Sequence, residues 1–391
     1  MSLSRVVVSA AGRYHSVHLA RALHSAGVLR KFFYAGTPAD RVFFPPNKLY
    51  FCNTVSFADR FFVKCSLDRF VLPSRWYTWR DKFFDHVVAS RLENMGTFDI
   101  FVGWANGCLK SLQTVKKKAH VTIVEAGSMH ISAQEKILAE EFARHQLTPS
   151  QVLEENKDRM LEEYDLADYI AVPSEHVKAS FMAAGISEKK LLKIPYGCNV
   201  EKFFSNKPKS TKGPMIFLFV GMISLQKGIY YLLSAWRRLG LSPSVAQLHL
   251  VGNVSAECED LVAAATQMSG VIVHGPKRQD DLRGFYNNAH VLLLPSLQEG
   301  LAMVIGEAMA AGLTVICSNN TGGGELLQDG ASGFLIPVAD GTALADKIAW
   351  CVAHRDEVVV IGQHAKNIAR QYTWDDYGTR VLEKYAQIVK P

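Results

Sequence analysis

The feature that most constrains this chain is an alternation that runs through it twice. Short apolar runs recur, each followed by a small-residue turn and then by a longer stretch with helical spacing. A short run that is apolar on both faces reads as a strand of a parallel sheet covered by helices on either side. Arg5–Ala10, Ile100–Val102, Val121–Val124 and Tyr169–Val172 form the first series; Ile216–Val220, Gln247–Val251, Val271–Val273, Val291–Leu294 and Thr314–Cys317 form the second. Helical stretches lie between them, among them 14–26, the acidic stretch 149–165, 228–239 and 301–311. Between the series stands SNKPKSTKGP at 205–214, polar and rich in Lys, Ser and Pro, which reads as an interdomain linker. With 391 residues the chain exceeds one compact core. The expected organisation is therefore an α/β domain over 1–204, a second over 215–370, and an amphipathic helix within 371–391 with Tyr377, Val381, Leu382, Tyr385 and Ile388 on one side. Two such halves face each other across a cleft, and ligands bind at the carboxyl ends of the strands.

Charge is uneven along this frame. Residues 1–205 carry 27 Lys and Arg against 21 Asp and Glu, whereas 206–391 balance at 16 and 16. Most of the excess lies within 1–91, with 14 basic and 5 acidic residues. Segment 41–91 interleaves Phe43, Phe44, Phe51, Phe61, Phe62, Trp76, Trp79, Phe83 and Phe84 with Arg60, Lys64, Arg69, Arg75, Arg80 and Lys82. One reading is helices packed on the sheet with a solvated basic face; the other is a surface that docks on anionic lipid. Nucleic acid uses similar residue types, but no nucleic-acid motif accompanies them, and no such partner is expected. No apolar run approaches a membrane span. The start, MSLSRVVVSAAGRYH, meets Arg13 too soon for a signal peptide. Seven scattered cysteines with no C-x-x-C pair point to a reducing compartment. A cytoplasmic protein, peripheral on the inner face of a membrane through 41–91, is the expectation.

The chemistry-bearing stretch is VLLLPSLQEGLAMVIGEAMAAGLTVICSNNTGGGELLQDGASGFLIPVA at 291–339. A buried strand ends at Pro295, and a short loop feeds a helix expected from about Leu301. The first amides of that helix lack internal acceptors and carry partial positive charge, which suits a diphosphate. Gly300 lets backbone approach it closely. Glu299 stands at the mouth, and Glu307 lies eight positions on, about 12 Å by helical rise. One carboxylate thus faces a sugar beyond the phosphates, and the other, flanked by Val304, Ile305, Ala308 and Met309, suits a ribose diol. Taken singly, each reads as an ordinary loop or helix charge.

The E-x7-E spacing of Glu299 and Glu307, within PSLQEG, GEAMAAG and the following TGG, ELL and GFL segments, closely resembles glycosyltransferase family 4. IPYGCNVEKF at 194–203 and VGMISLQKG at 220–228 are similar to further segments of that family. The likeness is strong over about 165–340 and weak before it. It implies the GT-B fold, two Rossmann-like domains with a C-terminal helix that crosses back to the first. It implies a retaining hexosyltransferase that uses a nucleotide-sugar, UDP- or GDP-linked, and a glycan or lipid-linked acceptor in cell-surface polysaccharide synthesis. Among matching positions, Lys227 grips the diphosphate, Glu307 holds the ribose, and Glu299 with the backbone of Gly300, Leu301 and Ala302 faces the sugar. Gly12 sits where the first domain closes over the phosphates, His130 near the donor sugar, and Glu325 near the nucleotide or sugar. One departure matters: Met222 stands where the family carries Arg, so Lys277 or Arg278 would have to substitute, or the helix end and Lys227 suffice.

Trp104 and Asn106 in FVGWANG, and Glu125 after the Val121–Val124 strand, are candidates for the acceptor side, since strand-end loops line clefts. No D-x-D pair occurs. Diphosphate-binding metals prefer such oxygen ligands, so no metal and no cofactor are expected. The resemblance implies that the leaving phosphate helps deprotonate the acceptor. A GT-B sugar-nucleotide epimerase, a transferase with a soluble product, and a nucleotide-sugar-binding protein without catalysis stay open as alternatives.

Overall fold

A computed structural model describes residues 5–65, 73–147, 154–205 and 208–389. The described residues form two sheets, parallel throughout. The first contains β1 (Val6–Ala10), β2 (Leu29–Tyr34), β3 (Leu49–Phe51), β4 (Phe98–Trp104), β5 (Ala119–Glu125), β6 (Tyr169–Val172) and β7 (Leu191–Lys193), in the order β3-β2-β1-β4-β5-β6-β7. Its crossovers are α1 (Ser16–Ser25), α2 (Asn53–Lys64), α3 (Pro73–Glu93), α4 (Leu109–Val115), α5 (Ile131–Arg144), α6 (Glu154–Leu166) and α7 (Glu175–Ala183). After α8 (Val200–Phe203) comes the second sheet: β8 (Met215–Val220), β9 (Ala246–Val251), β10 (Val271–Gly275), β11 (Val291–Leu294), β12 (Thr314–Ser318) and β13 (Phe334–Ile336), in the order β10-β9-β8-β11-β12-β13. With it go α9 (Ile229–Leu239), α10 (Glu259–Ala265), α11 (Leu282–Asn288), α12 (Met303–Ala310), α13 (Gly341–Ala353) and α14 (Arg355–Ala369), followed by α15 (Trp374–Val389). Every residue of β1, β4, β11 and β12 is buried, as strands covered on both faces must be. In each sheet the order reverses beside the first strand, so the loops part between β1 and β4 and between β8 and β11. Those two crevices are where ligands bind in such sheets.

Four strands lacked a sequence signal. β2 carries Arg30 and Lys31, and β3, β7 and β13 have three residues each. The expected linker is also displaced. α8 already packs on α11 and α12 of the second domain. Residues 208–214 are then fastened to that domain: Lys209 Nζ donates to the carbonyls of Tyr286 (2.7 Å) and Asn287 (3.1 Å), and Arg355 donates to Gly213 (2.6 Å). Asn206 and Lys207 lie outside the described residues. The crossing is therefore at 194–199; polar composition marked exposure there, not a boundary.

The chain returns beside its own crossing. Cys198 N–H donates to the Tyr372 carbonyl at 2.8 Å, and Cys198 bridges Thr373 in parallel fashion. Gly197 is needed there, because a Cβ would lie 2.5 Å from the Thr373 carbonyl oxygen. α15 then packs on α1 of the first domain, with Trp374 stacked on His18 at 3.7 Å. Tyr377, Gly378, Val381 and Tyr385 form its buried face.

The aromatic segment divides. Phe44, Phe62 and Phe84 are core residues, while Phe57, Phe61 and Trp79 are 64%, 52% and 54% exposed on α2 and α3. Arg80, expected on the basic face, is buried and paired with Asp81 (2.7 Å) and Asp59 (3.6 Å). Arg69 and the start of the acidic 149–165 stretch lie outside the described residues. Among the described residues no helix is long and apolar enough to cross a membrane.

Candidate active site

The two crevices face each other and enclose a cavity of about 530 Å3. The first domain lines it with Tyr14, His15, Trp104, Glu125 and the loop 126–129; the second with Gly221, Lys227, Glu299, Leu301, Ala302 and Glu307.

On the second-domain wall, Gly228 adopts φ 71°, and a Cβ there would lie 2.0 Å from the Pro295 carbonyl oxygen. Only glycine permits the turn that carries Lys227 against the loop after β11. Lys227 Nζ is ion-paired with Glu299 Oε1. Glu299 is held through its backbone, its N–H donating to Asn320 (2.7 Å) and its carbonyl accepting from His176 Nε2 (2.7 Å). α12 begins two residues later than expected, so only half of the Glu299–Glu307 separation is helical and the 12 Å helical spacing does not apply. The cause is that Ala302 N–H bonds to the Thr321 carbonyl at 3.0 Å instead of opening a first turn. That bond takes Ala302 out of the set of open amides, leaving Met303 and Val304 at the helix start. Gly300 serves a contact between domains: a Cβ there would lie 1.9 Å from the Gly127 carbonyl oxygen. Glu307 is buried, and its Oε2 accepts from the Tyr286 hydroxyl at 2.9 Å. Burial pushes its carboxyl up to about 7, against the Tyr286 hydrogen bond and the charge of Lys202.

Met222 is exposed and does not line the cavity. Lys277 and Arg278 do not line it either, so neither stands in for the absent arginine. Among the described residues Lys227 is the one lysine or arginine that does.

On the first-domain wall the structure corrects the histidine. His130 is the N-cap of α5, buried away from the cavity lining: Nδ1 accepts from Ser132 N–H at 3.3 Å, and its ring's neighbours are Tyr164 and Phe181. Burial lowers its pKa. Among the described residues the histidine in the cavity is His15, one residue before α1. Its Nε2 lies 3.1 Å from Glu125 Oε2, and its ring packs 4.1 Å from Tyr196 and 5.0 Å from Trp104. Nothing in GRYH announces it; the one available signal was that first βα turns face the cleft.

Three more expected residues lie elsewhere. Gly12 lines a second cavity of about 590 Å3 beyond Tyr14, with Arg13, Arg60, Arg80, Asp59 and Asp81. A Cβ on Gly12 would lie 2.8 Å from the Tyr14 ring, so its smallness accommodates that ring, which forms a wall of both cavities. Asn106 lines the second cavity too, at φ 71°, with its N–H held by Glu163. Glu325 clasps the first domain, accepting from Lys193 Nζ (3.1 Å) and from Glu175 N–H (2.6 Å), outside the cleft. Trp104 and Glu125 are at the cleft.

Comparison with known proteins agrees with this layout. Residues 214–354 match the family model described as glycosyl transferases group 1. The lipopolysaccharide 1,2-N-acetylglucosaminetransferase of Salmonella typhimurium is 28% identical over 234 residues, 55% of this chain and 61% of that one. The first curated relatives are matched over only 42–61% of their own length. Among solved structures, sucrose-phosphate synthase from Thermosynechococcus elongatus superposes with a TM-score of 0.74 at 20% identity, over 98% of this chain and 99% of that one. HepE from Anabaena in complex with UDP-glucose superposes with a TM-score of 0.66 at 15% identity, over 98% and 99%. The fold is GT-B.

Proposed function

We propose that this protein is a glycosyltransferase that moves a hexose from a UDP- or GDP-linked donor to a glycan or lipid-linked acceptor, in cell-surface polysaccharide synthesis. The observation that carries the reading is the placement of Lys227, Glu299 and buried Glu307 around the start of α12, in a cavity between facing switch points. In this reading the diphosphate takes Lys227 from Glu299 and meets the open amides of α12. Glu307 accepts from the ribose diol, and the freed Glu299 turns to the sugar hydroxyls. Lys227 and the helix start stabilise the leaving diphosphate as the sugar carbon gains oxocarbenium character. The relative that acts on lipopolysaccharide supports the glycan acceptor, and HepE with UDP-glucose supports a uridine donor. Trp104 and Glu125 lie on the acceptor side, with Asn106 in the adjoining cavity.

Retention of configuration is supported by the E-x7-E resemblance, and metal independence by the lack of a D-x-D pair. Exposed Phe57, Phe61 and Trp79 beside Arg60 and Arg75 support docking on an anionic membrane. The test is a thermal-shift panel of UDP-, GDP-, ADP- and TDP-sugars, because a donor stabilises the fold by mass action. The best binder is then turned over in excess EDTA and the product anomer is read by NMR. A rise in melting temperature, EDTA-resistant turnover and a retained anomer are expected. No stabilisation by any sugar nucleotide removes the reading; turnover that needs added Mg2+ or Mn2+, or an inverted product, removes the corresponding part.

A further inference from the structure

The loop that leads into α12 is held from both sides of the cleft, and the two domains hold different groups of it. Its own domain takes amides: Glu299 N–H donates to Asn320 (2.7 Å) and Ala302 N–H to Thr321 (3.0 Å). The first domain takes the carbonyls between them. His176 Nε2 donates to the Glu299 carbonyl at 2.7 Å, and Ser174 Oγ donates to the Gly300 carbonyl at 2.6 Å. A carbonyl only accepts, so the imidazole carries a proton on Nε2. The two side chains also meet each other, Nδ1 and Oγ 2.9 Å apart. Both stand where α7 begins, and neither lines the cavity.

A trans peptide is planar, and its N–H points opposite to its C=O. Holding the Glu299 carbonyl therefore aims the Gly300 amide away from α7, and holding the Gly300 carbonyl does the same for the Leu301 amide. A bond to the carbonyl also polarises the peptide and strengthens its N–H as a donor. Neither amide donates to any described residue, although both residues are buried. Buried backbone donors are nearly always partnered. Leu301 lines the cavity beside Glu299, so the cavity is where an acceptor for them can sit.

We propose that His176 and Ser174 are positioning residues which, acting across the domain boundary, aim the Gly300 and Leu301 amides at hydroxyl oxygens of the transferred sugar. The inference rests on the glycosyltransferase reading above. It divides the donor between the domains. Lys227 and Glu307 belong to the second domain and grip the nucleotide end whatever the first domain does. The sugar's backbone donors take their aim from α7, so they are fixed only when the cleft is closed, and an open cleft keeps the nucleotide while it loosens the sugar.

The experiment uses the full chain with the sugar nucleotide that raises its melting temperature most and with the matching free nucleoside diphosphate, and follows cleavage of the donor by water. In His176→Leu and in Ser174→Ala, kcat falls about 10- to 100-fold, as misplaced reacting groups require, while the Kd of the diphosphate stays within about threefold. His176→Gln, which keeps an N–H at the reach of Nε2, and Ser174→Thr, which keeps the hydroxyl, recover most of the loss. In the wild type labelled with 15N-glycine and 15N-leucine, the Gly300 and Leu301 amide resonances move when the sugar nucleotide replaces the diphosphate, a readout that needs no variant to fold. Wild-type kcat in folded His176→Leu and Ser174→Ala, equal losses in His176→Leu and His176→Gln, diphosphate affinity that falls in step with kcat, or amide resonances that do not distinguish the two ligands overturns the proposal. Failure of the wild type to bind any sugar nucleotide instead overturns the glycosyltransferase reading on which it stands.

Discussion

At the residue scale the site turns on carboxylates whose surroundings differ. Glu299 is partly exposed and paired; Glu307 is buried and titrates near 7. Because its folded value is raised above the ordinary carboxylate range, Glu307 contributes full stability only below about pH 4.5, and that contribution is lost as pH rises to about 7. Glu307→Gln is therefore expected to melt higher than the wild type at pH 8, by up to about 3 kcal/mol in stability, and to match it near pH 4.5. Donor binding runs the other way. A ribose diol donates to the ionised carboxylate, so affinity for a UDP-sugar, whose diphosphate does not titrate near 7, is expected to strengthen between pH 6 and 8. The Gln variant loses that slope and binds more weakly by about 1.5–3 kcal/mol. Calorimetry at the two pH values checks this, and equal slopes in the two proteins would exclude Glu307 from the ribose. Glu299 and Glu307 were legible in the sequence because strand, loop and helix follow one another within a few residues, and Lys227 through the family resemblance of VGMISLQKG. His15 was not, because its partner is 110 positions away and only the sheet order brings β1 and β5 to one crevice.

At the element scale, the alternation of apolar runs was enough to place most strands and the α15 face. It missed β2, whose run Arg30 and Lys31 interrupt, and β3, β7 and β13, whose three residues are too few to show a period. It also spread membrane contact evenly over 41–91, whereas α2 and α3 bury Phe62, Phe84 and Arg80. The surface that the proposed docking would use is Phe57, Phe61 and Trp79 with Arg60, Lys64 and Arg75. Wild-type protein is expected to float with phosphatidylglycerol vesicles at low salt and to be released as salt rises, since each basic residue contributes roughly 1 kcal/mol at such a surface. Phe61→Ser with Trp79→Ser is expected to stay in the soluble fraction while binding donor normally. Equal flotation of both proteins, or none for the wild type, removes the membrane surface.

At the scale of the whole molecule, the domains touch through backbone at Gly300 and Gly127 and through Ser128 Oγ, which donates to Gln298 Oε1 at 2.7 Å. Gly300→Ala would force a methyl group into that contact. The expected result is a cleft held ajar. Small-angle scattering should report a larger radius of gyration, nucleotide affinity should change little, and turnover should fall about 100-fold because reacting groups are displaced by about an ångström or more. Wild-type turnover in the variant would show that the chemistry does not need this contact.

Both passages of the chain between domains run through one spot, where Cys198 meets Tyr372 and Thr373. Mechanically this is a flexure: two ribbons clamped side by side resist sliding and yield to bending. Any opening of the jaws then pivots on that spot, and displacement grows with distance from it. Gly306, next to Glu307, abuts Cys198 at the pivot, since a Cβ there would lie 2.6 Å from its sulfur. A nucleoside lodged by Glu307 would thus ride near the axle and feel almost nothing of the motion. The sugar, out toward the rim, would be gripped or released by a swing of a few degrees, which lets one joint keep hold of the donor's handle while it exchanges what the donor carries.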